Sequence, residues 1–555
     1  MKRIYILVIA ICIGSIVKCY SQAPSWQWAC VAEGSNPLEI STSITTDANG
    51  NVYTVGYFMG PSITFGNHTI FGSSFTTSFI VKQNSVGNVI WAKSIFNSAG
   101  SYVYSSKICI DTAGFIYIVG DFNGTISFNS INLTTNSAAG DFFLIKLDNA
   151  GNGIWGIHSN ATIYANANDV CVDRHGDLYV TVNYKGNISF GNNNFTCTNA
   201  TDLILVKFNS SASPIWAKYF KGDYLTTVSS IATDSEGNVN ICGYYAGKTM
   251  TFDSVVINNT TSDSSNRDIF IARYNADGSF AWARSAGRYE NDWGYDICTD
   301  NKGNIYVTGE FNGSSIIFDN YVLHGNGCRN TFVLKLNSNN TIIWAKGFGG
   351  QSGNNTGSAI ICDASDNFYL GGSFFYAFQN DSCSLYSADN LDVYIAKFDA
   401  SGSPIWAKNG GNALYIDVAY ISIDLSGNCF VTGSFVGATA TFGSIILNHD
   451  TVITNHDIYI ANLGLPTGIN ELHNEKLALN IYPNPATSKL TINLQQQTIL
   501  QNTTVSIYDV QGKLLLQQSI TQPQTELNIA SFAKGIYVVK VNNDKQSMVN
   551  KFVKE

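Results

Sequence analysis

A tryptophan that returns at intervals of 61 to 66 residues constrains the fold of this 555-residue chain more than any other feature. Its seven members are Trp28, Trp91, Trp155, Trp216, Trp282, Trp344 and Trp406. Self-similarity at a fixed period is typical of repeat architectures, in which each unit buries its apolar face against its neighbours. The sequence therefore predicts a repeat protein.

Each unit contains four short apolar runs, which we call A, B, C and D. Run A ends on a repeat Asp: Asp47, Asp111, Asp173, Asp234, Asp300, Asp363 and Asp424. A turn with Gly follows in every unit except the sixth, which has Asp366 there. Run B resembles Asn304–Gly309, run C resembles Asp268–Arg273, and run D carries the Trp. Period-two alternation in runs of this length predicts four antiparallel strands per unit.

The two ends of the repeat region indicate how it closes. The seventh unit stops after run C at Asn462, whereas the chain begins with an unaccompanied run D at 26–30. We expect the N-terminal strand to complete the last unit, because a closed ring leaves no open sheet edges. The prediction is an all-β, seven-bladed propeller, spanning 22–463. A solenoid is the alternative, although its repeats are usually shorter, ~20–50 residues.

The pattern Asp-x-x-Gly-Asn-x-Tyr-x-x-Gly, followed by Asp-x-Phe-x-x-Lys, resembles the bacterial beta-propeller repeat family. The resemblance covers about 44–462, with departures at Val182, Thr77 and Asn330. That family is defined by its structure, so the resemblance implies a fold and no reaction.

The N-terminus is typical of a secretory signal peptide spanning 1–21. Two basic residues precede an apolar run from Ile4 to Val17, and small residues near Ser21 fit a cleavage site. Lipidation at Cys19 is an alternative that the preceding Lys18 disfavours. No later segment approaches the ~20 apolar residues of a membrane span, so we expect no transmembrane span in the mature chain.

Charge is distributed unevenly. Residues 1–21 carry three positive charges and residues 476–555 a net of four, so the overall charge of −9 leaves −16 for residues 22–475. An acidic body of this size repels phosphate backbones, which argues against nucleic acid as a partner.

Ten cysteines lie outside the signal region. Cys109, Cys171 and Cys298 each lie two residues before a repeat Asp, where we interpret them as small buried side chains rather than disulfide partners. Cys328 and Cys383 lie in corresponding loops of adjacent units and are the pair to test for a disulfide. No cysteine or histidine spacing is typical of a metal site.

Strand direction divides the connections into two sets. The A–B and C–D turns are short and share one end of the sheets. The B–C and D–A connections are longer, as in 245–267, 373–391 and 285–296, and share the other end, which we call the loop-rich face. Function concentrates in variable loops on rigid scaffolds, so the loop-rich face is the predicted site.

Aromatic residues in the D–A connections are the candidate ligand-binding residues: Tyr104, Tyr164, Tyr224, Trp293 and Tyr415. Flat rings beside polar side chains suit a sugar or a peptide. The alternative is that these rings pack between units.

Nothing in the sequence requires an enzyme. The repeat Asp residues could be imagined as calcium ligands, but the spacing and terminal Glu of a calcium loop are absent, and turn capping explains them better. No catalytic triad, phosphate loop or paired-His motif is present, so no catalytic residue, cofactor or metal is predicted. Two carboxylates from different units meeting in a glycosidase-like cleft remain an open alternative.

After Leu463 the repeat ends, and 464–477 has the composition of a linker. Residues 478–555 contain several short alternating runs, which predict a small Ig-like β-sandwich.

Several separated motifs in this segment resemble the type A sorting domain of the Bacteroidetes type IX secretion system. The residues that carry the resemblance are Tyr482, Pro483, Asn484, Pro485, Gly512, Gly535, Tyr537, Lys551 and Lys554. The resemblance implies the type IX machinery as partner, passage across the outer membrane, removal of the domain, and surface attachment or release. A sandwich domain used for adhesion is the alternative.

We therefore expect a secreted or cell-surface binding or adhesion protein with a glycan or extracellular protein as ligand. The alternatives are a secreted polysaccharide-active hydrolase and a structural surface-layer component.

Overall fold

The structure is a computed structural model. It describes residues 24–34, 38–73, 75–98, 100–137, 139–191, 193–260, 265–325, 327–349, 353–380, 383–418, 420–448, 455–464, 479–494, 503–509, 513–522, 524–542 and 547–555. Within these ranges every extended regular element is a β-strand, which confirms the predicted all-β class. None of these residues forms a helix of the length and apolarity that a membrane crossing requires. The predicted signal peptide lies outside the described residues, and so does the predicted linker except for Gly464, which ends a strand.

The chain divides into two compact parts, Met1–Leu465 and Pro466–Glu555, which we call the body and the C-terminal module. The body opens with β1 (Ser25–Gly34). Unit 1 holds β2 (Glu39–Thr46), β3 (Val52–Met59), β4 (Ser62–Phe65), β5 (His68–Phe71), β6 (Thr76–Gln83) and β7 (Val89–Asn97). Unit 2 holds β8 (Val103–Ile110), β9 (Ile116–Phe122), β10 (Thr125–Phe128), β11 (Ile131–Thr134), β12 (Asp141–Leu147) and β13 (Gly153–His158). Unit 3 holds β14 (Tyr164–Val172), β15 (Leu178–Phe190), β16 (Asn193–Phe208) and β17 (Pro214–Gly222).

Unit 4 holds β18 (Thr226–Thr233), β19 (Val239–Ala246), β20 (Thr249–Phe252), β21 (Val255–Asn258), β22 (Arg267–Tyr274) and β23 (Phe280–Ala286). Unit 5 holds β24 (Asp292–Thr299), β25 (Ile305–Phe311), β26 (Ser315–Phe318), β27 (Tyr321–His324), β28 (Asn330–Leu336) and β29 (Ile342–Phe348). Unit 6 holds β30 (Asn355–Cys362), β31 (Phe368–Asn380), β32 (Cys383–Phe398) and β33 (Pro404–Ala413). Unit 7 holds β34 (Tyr415–Ile416), β35 (Tyr420–Ile423), β36 (Cys429–Val436), β37 (Thr439–Phe442), β38 (Ile445–Asn448) and β39 (Asp457–Gly464).

In every unit the A, B, C and D strands pair antiparallel in chain order, as the alternation predicted. Unit 7 takes its D strand from the N-terminus, because β1 pairs with β39. Trp28 lies opposite Asn462 in this pairing, just as Trp91 lies opposite Lys82 in unit 1. The predicted position of the N-terminal strand is therefore confirmed.

Apolar packing follows the same closed order. The buried residues of the body form clusters that each join two consecutive units, and one cluster joins Phe430 and Ile458 of unit 7 to Ile44 and Val81 of unit 1. The A strands also contact one another in sequence, and β35 contacts β2. Each unit thus buries both faces of its sheet against neighbours.

The B–C segments, which the sequence indicated only as long connections, contain regular strands. In units 1, 2, 4 and 7 they form hairpins that pair with the D strand of the preceding unit, as Ile126 pairs with Asn97. In units 3 and 6 the B and C strands themselves continue into the hairpin. The alternation within these segments is short and their partner is distant in sequence, so local patterning did not indicate the pairing.

The repeat Asp residues cap turns, as predicted. In Asp300, Oδ1 accepts hydrogen bonds from the backbone N–H groups of Lys302 (3.0 Å) and Asn304 (2.9 Å), and Oδ2 accepts one from Asn304 Nδ2 at 2.8 Å. Lys335 of strand C lies 3.6 Å from the same carboxylate. The same residue types therefore recur because each turn is built in the same way.

The C-terminal module contains two sheets around one apolar core. Its strands are β40 (Leu479–Tyr482), β41 (Lys489–Leu494), β42 (Thr504–Asp509), β43 (Leu514–Ser519), β44 (Gln524–Asn528), β45 (Gly535–Asn542) and β46 (Ser547–Lys554). The sheet orders are β40-β41-β44 and β43-β42-β45-β46. Leu490, Ile492 and Leu527 of the first sheet share a buried cluster with Val539 and Phe552 of the second.

Candidate functional site

The A strands surround a common centre, and a recurrent bulge determines what they present to it. In the first six units the register of the A–B pairing shifts just before the residue four places ahead of the repeat Asp. A bulge inserts an extra residue and re-aims the side chains beside it. These centre residues are Ser43, Lys107, Asp169, Ser230, Asp296, Ala359 and Tyr420.

Polar contacts join the centre residues of units that are not neighbours. Lys107 Nζ lies 3.0 Å from the centroid of the Tyr420 ring, and the Tyr420 hydroxyl donates to Asp296 at 3.3 Å. Ser230 Oγ also donates to Asp296, at 2.7 Å. Units 2, 4, 5 and 7 therefore meet in one polar cluster, which unit 2 joins through a cation–π contact and the others through hydrogen bonds.

Burial controls the ionisation of this cluster. It raises the pKa of Asp296 to about 6, although the charge of Lys107 opposes the shift. It also lowers the pKa of Lys107, against the attraction of Asp169 and Asp296. The centre residues thus form a polar layer, which we call the floor, below the loop-rich face.

Above this floor, the residue seven places before each repeat Asp and the residue opposite it on strand B form the mouth. The A-strand members are Ile40, Tyr104, Asn166, Thr227, Trp293, Thr356 and Asp417. Their B-strand partners are Tyr57, Asp121, Asn183, Tyr244, Glu310, Ser373 and Ser434. Strand A runs from the D–A connection to the repeat Asp, so these residues lie towards the loop-rich face.

A tyrosine cluster occupies the mouth where units 1 and 2 meet. The Tyr104 ring contacts Tyr57 edge to face at 4.7 Å between centroids, and Tyr102 at 5.1 Å. Asp121 lies opposite Tyr104, and burial raises its pKa to about 7. Burial also raises the pKa of Tyr102 to about 12, with a contribution from the charge of Asp121.

An arginine and aromatic cluster occupies the mouth where units 4 and 5 meet. The guanidinium carbon of Arg267 lies 5.6 Å from the ring centroids of both Tyr244 and Trp293. Trp293 lies opposite Glu310, whose carboxylate is 3.6 Å from Arg329. Burial raises the pKa of Glu310, although Arg329 opposes the shift.

Four of the five predicted aromatic residues lie on A strands rather than in loops. Tyr104, Tyr164, Trp293 and Tyr415 belong to β8, β14, β24 and β34. The prediction of loops was wrong for them because the A strands begin earlier than the apolar alternation indicates. Only Tyr224 lies in a D–A connection, where it is 59% exposed.

The structure separates these five rings. The Tyr164 hydroxyl is hydrogen-bonded to Thr201 Oγ1 at 2.6 Å. Tyr415 donates to Asp417 at 3.2 Å, and its ring lies 5.7 Å from that of His456. Among the described residues, no ring of the five is in contact with another of the five.

Sequence reasoning missed the B-strand half of the mouth. Tyr57, Asp121, Tyr244 and Glu310 each follow the repeat Gly of run B directly, or the residue in its place. The signal was available, since this position differs between units while the positions around it repeat.

Metal chemistry has no evident location in the described ranges, where no three His, Cys, Asp or Glu side chains converge. The side chain of Cys383 lies outside the described residues, and so does the predicted pairing with Cys328.

In the C-terminal module, the predicted sorting residues are joined to the last strand. Asn484 Nδ2 donates to the Lys551 carbonyl at 3.2 Å, and the Val553 N–H donates to Asn484 Oδ1 at 2.9 Å. The peptide bonds before Pro483 and Pro485 are cis. Tyr482 ends β40 and accepts a hydrogen bond from Gln524 at 3.1 Å.

The remaining sorting residues lie on the last two strands. Gly535 begins β45, and Tyr537 on the same strand donates to the Ala533 carbonyl at 2.7 Å. Lys554 ends β46. Gly512 lies outside the described residues.

Comparison with known families confirms both resemblances. Residues 480–555 match the secretion system C-terminal sorting domain, and residues 281–317, from β23 into β26, match the beta-propeller repeat. The sorting domain belongs to the type IX system, and it implies secretion to the outer cell surface.

Individual relatives are distant. The uncharacterized WD repeat-containing protein L264 of Acanthamoeba polyphaga mimivirus is 24% identical over 371 residues, which are 55% of this chain and 26% of that protein. The chain thus spans about a quarter of that relative's length.

Among solved structures, puromycin hydrolase is similar at 10% identity with a TM-score of 0.42, over 85% of this chain and 62% of that one. PorZ, a surface component of the type IX secretion system of Porphyromonas gingivalis, is similar at 13% identity with a TM-score of 0.17, over 95% of this chain and all of that one. This chain spans less than two thirds of puromycin hydrolase.

Proposed function

We propose that this protein is a secreted or cell-surface binding or adhesion protein whose loop-rich face binds a glycan or an extracellular protein. In this proposal a signal peptide (1–21) precedes a seven-bladed propeller (22–463). A linker (464–477) joins the propeller to an Ig-like, type A sorting domain (478–555), as found in Bacteroidetes. The closed order of the A strands and the pairing of β1 with β39 support the blade count.

One observation carries the binding role. The seven units keep the same residue types where the fold requires them, at the repeat Asp, the turn and the Trp. At the mouth they differ, and aromatic, amide, hydroxyl and carboxyl side chains share one surface. Sites for small ligands usually combine apolar and aromatic walls with a few placed polar groups. Divergence at the mouth supports a ligand that has no repeat symmetry of its own.

The experiment is an array of glycans and extracellular matrix proteins probed with the mature full-length protein. Replacing Tyr164, Tyr224 and Trp293 together by Ala is expected to weaken binding at least tenfold and leave the melting temperature unchanged. Phe96→Ala, an exposed ring on the outer strand of unit 1, is the matched control. Binding that survives the triple change would overturn the site, and a large thermal shift would show that the rings are structural.

A secreted polysaccharide-active hydrolase is the second candidate. The observation that favours it is Asp121, whose pKa of about 7 suits a general acid at neutral pH. Release of reducing ends from a polysaccharide, abolished by Asp121→Asn, would establish this function. Binding without product release favours the first proposal.

A further inference from the structure

Arginine is scarce and clustered in this protein. The described body contains six, and all except Arg174 lie between Arg267 and Arg329. Three of these have a carboxylate partner: Arg273 pairs with Asp234, Arg284 with Asp319 and Arg329 with Glu310. Arg267, Arg288 and Arg329 lie around the mouth of units 4 and 5, in a body whose net charge is strongly negative.

Two aromatic rings fix the position of the Arg267 guanidinium. Its guanidinium lies over the rings of Tyr244 and Trp293, and its Nε is buried without a hydrogen-bond partner in the described part of the chain. Stacking on an aromatic face fixes the plane of a guanidinium and directs its N–H groups sideways. Planar carboxylates and sulfates are the groups that such an edge binds with two parallel hydrogen bonds.

A second cation lies beside Glu310, the strand partner of Trp293. The Arg329 side chain is 53% exposed and lies 3.6 Å from Glu310, its carboxylate neighbour. Arg288 lies over the ring of Tyr289 at 5.4 Å. Burial raises the pKa of Asp292, beside Trp293, to about 8, so this carboxyl is largely uncharged at neutral pH. The cluster thus combines three arginines with carboxyl groups, of which Glu310 is paired with Arg329 and Asp292 is largely uncharged.

We propose that the Arg267–Trp293–Arg329 cluster selects an acidic glycan, with its carboxylate or sulfate groups on the two arginines and a sugar face on the Trp293 ring. This rests on the binding role proposed above. An acidic peptide offers the same anionic groups but has no sugar ring to stack on the Trp293 indole. The presence of Trp293 therefore favours a glycan.

The test is titration calorimetry of the mature full-length protein with three acidic tetrasaccharides: tetragalacturonate, tetramannuronate and a chondroitin sulfate tetrasaccharide. Maltotetraose and tetraglutamate are the neutral and peptide controls. At least one acidic sugar is expected to bind tenfold or more tightly than either control. Arg267→Gln and Arg329→Gln should each weaken that binding about tenfold, whereas Arg284→Gln, paired elsewhere with Asp319, should not.

Each other outcome is decisive. Equal affinity for maltotetraose, lost on Trp293→Ala, would overturn the acidic preference and leave glycan binding intact. Equal or tighter binding of tetraglutamate would replace the glycan by an acidic peptide. If none of the tetrasaccharides binds and the array is also empty, both the inference and the proposed function fail.

A separate observation concerns two sulfur atoms. Cys298 Sγ and Cys362 Sγ lie 2.8 Å apart, on the neighbouring A strands of units 5 and 6. Both cysteines are free in the structure. Non-bonded carbon atoms rest at about 3.5–4.0 Å and sulfur is larger than carbon, so these sulfur atoms are closer than apolar packing alone explains. Exported proteins meet oxidising conditions in which disulfides form and persist.

We infer that Cys298 and Cys362 form a disulfide in the exported protein, linking units 5 and 6. The two thiols give up two protons and two electrons to a disulfide-bearing oxidant, which leaves as two thiols. Because burial raises the pKa of Cys298 well above its ordinary value, we expect the bond to form before the two units pack.

Peptide mapping of the secreted protein, denatured and alkylated without reductant, tests this inference. A peptide pair linked through Cys298 and Cys362 is expected, and Cys298→Ser should abolish it and lower the melting temperature by several degrees. Cys242→Ser, at another buried thiol, should leave the linked pair in place. Complete alkylation of both thiols in the wild-type protein would overturn the inference.

Discussion

The indole Nε1 of Trp28 donates a hydrogen bond of 2.9 Å to the carbonyl oxygen of Ser85. Trp28 belongs to the N-terminal strand that completes unit 7, and Ser85 lies in the C–D turn of unit 1. Trp282 makes the same contact with Ser338 of the next unit, at 3.0 Å. Trp216 and Trp344 also donate to the C–D turn of the next unit, whereas Trp91 Nε1 has no hydrogen-bond partner among the described residues. Where the bond is present, the Trp clamps consecutive units together, and the N-terminal strand makes this contact between units 7 and 1.

The C–D turn of unit 1 leaves room for the indole of Trp28. Gly87 has a φ of +89°, and a Cβ at this position would lie 2.8 Å from the Trp28 ring. Only glycine combines that backbone conformation with so close an approach.

Replacing Trp28 by Ala should lower the free energy of unfolding by about 3 kcal/mol, the lower end for truncation of a Trp. Trp282→Ala should cost about the same, because its contacts are equivalent. Ile343→Ala, at a side chain that is 42% exposed, should stay within about 0.5 kcal/mol. Denaturant unfolding measures all three. If Trp28→Ala costs no more than Ile343→Ala, the N-terminal strand does not hold the ring closed.

Removing residues 24–34 should leave the edges of β39 and β4 unpaired, because β1 lies between them. Exposed strand edges promote aggregation, so we expect a lower melting temperature and association during size-exclusion chromatography. A synthetic peptide of residues 24–34 should bind the truncated protein and restore the monomer. The same peptide with Trp28→Ala should bind more weakly, and equal rescue by both peptides would contradict the clamp.

The features that the sequence predicted correctly are those that depend on the pattern of residues within one unit. The alternating runs and the Trp spacing indicated the four-stranded units and the pairing of β1, since each is a property of one unit. The hairpins that pair with the preceding D strand, such as β10 with β7, depend on contacts between units. The B-strand half of the mouth was missed for a related reason, since the solvent access of Asp121 and Glu310 depends on the neighbouring unit and on the bulge in strand A.

Asp121 should make the free energy of unfolding decrease as the pH rises. Burial raises its pKa from 3.8 to about 7, so the fold disfavours the charged form. Below pH 4 the group is protonated in both states and has no effect. Between about pH 4 and 7 it ionises only on unfolding, so the free energy of unfolding should fall as pH rises. Asp121→Asn should lose this part of the slope in a urea titration, and identical slopes for both proteins would contradict it.

Asn484 provides a test of the sorting module, because its amide joins the sorting motif to the last strand from both sides. Asn484→Ala would leave the Val553 N–H and the Lys551 carbonyl without these partners, at a cost of about 1–2 kcal/mol. The last strand stays paired with β45, and Ala486 keeps its backbone hydrogen bonds to Val553 and Glu555. The module should therefore still fold, with the motif held less firmly against the last strand. If the type IX machinery recognises the motif and the strand as one surface, the secreted fraction should fall severalfold while the amount of protein in the cell stays the same.

The Asn484→Asp variant keeps the acceptor for the Val553 N–H, so its secreted fraction should be intermediate. Lys489→Ala, which removes only an exposed ion pair with Glu526, should be exported normally, and export of Asn484→Ala at the level of this control would show that the joined surface is not what the machinery reads.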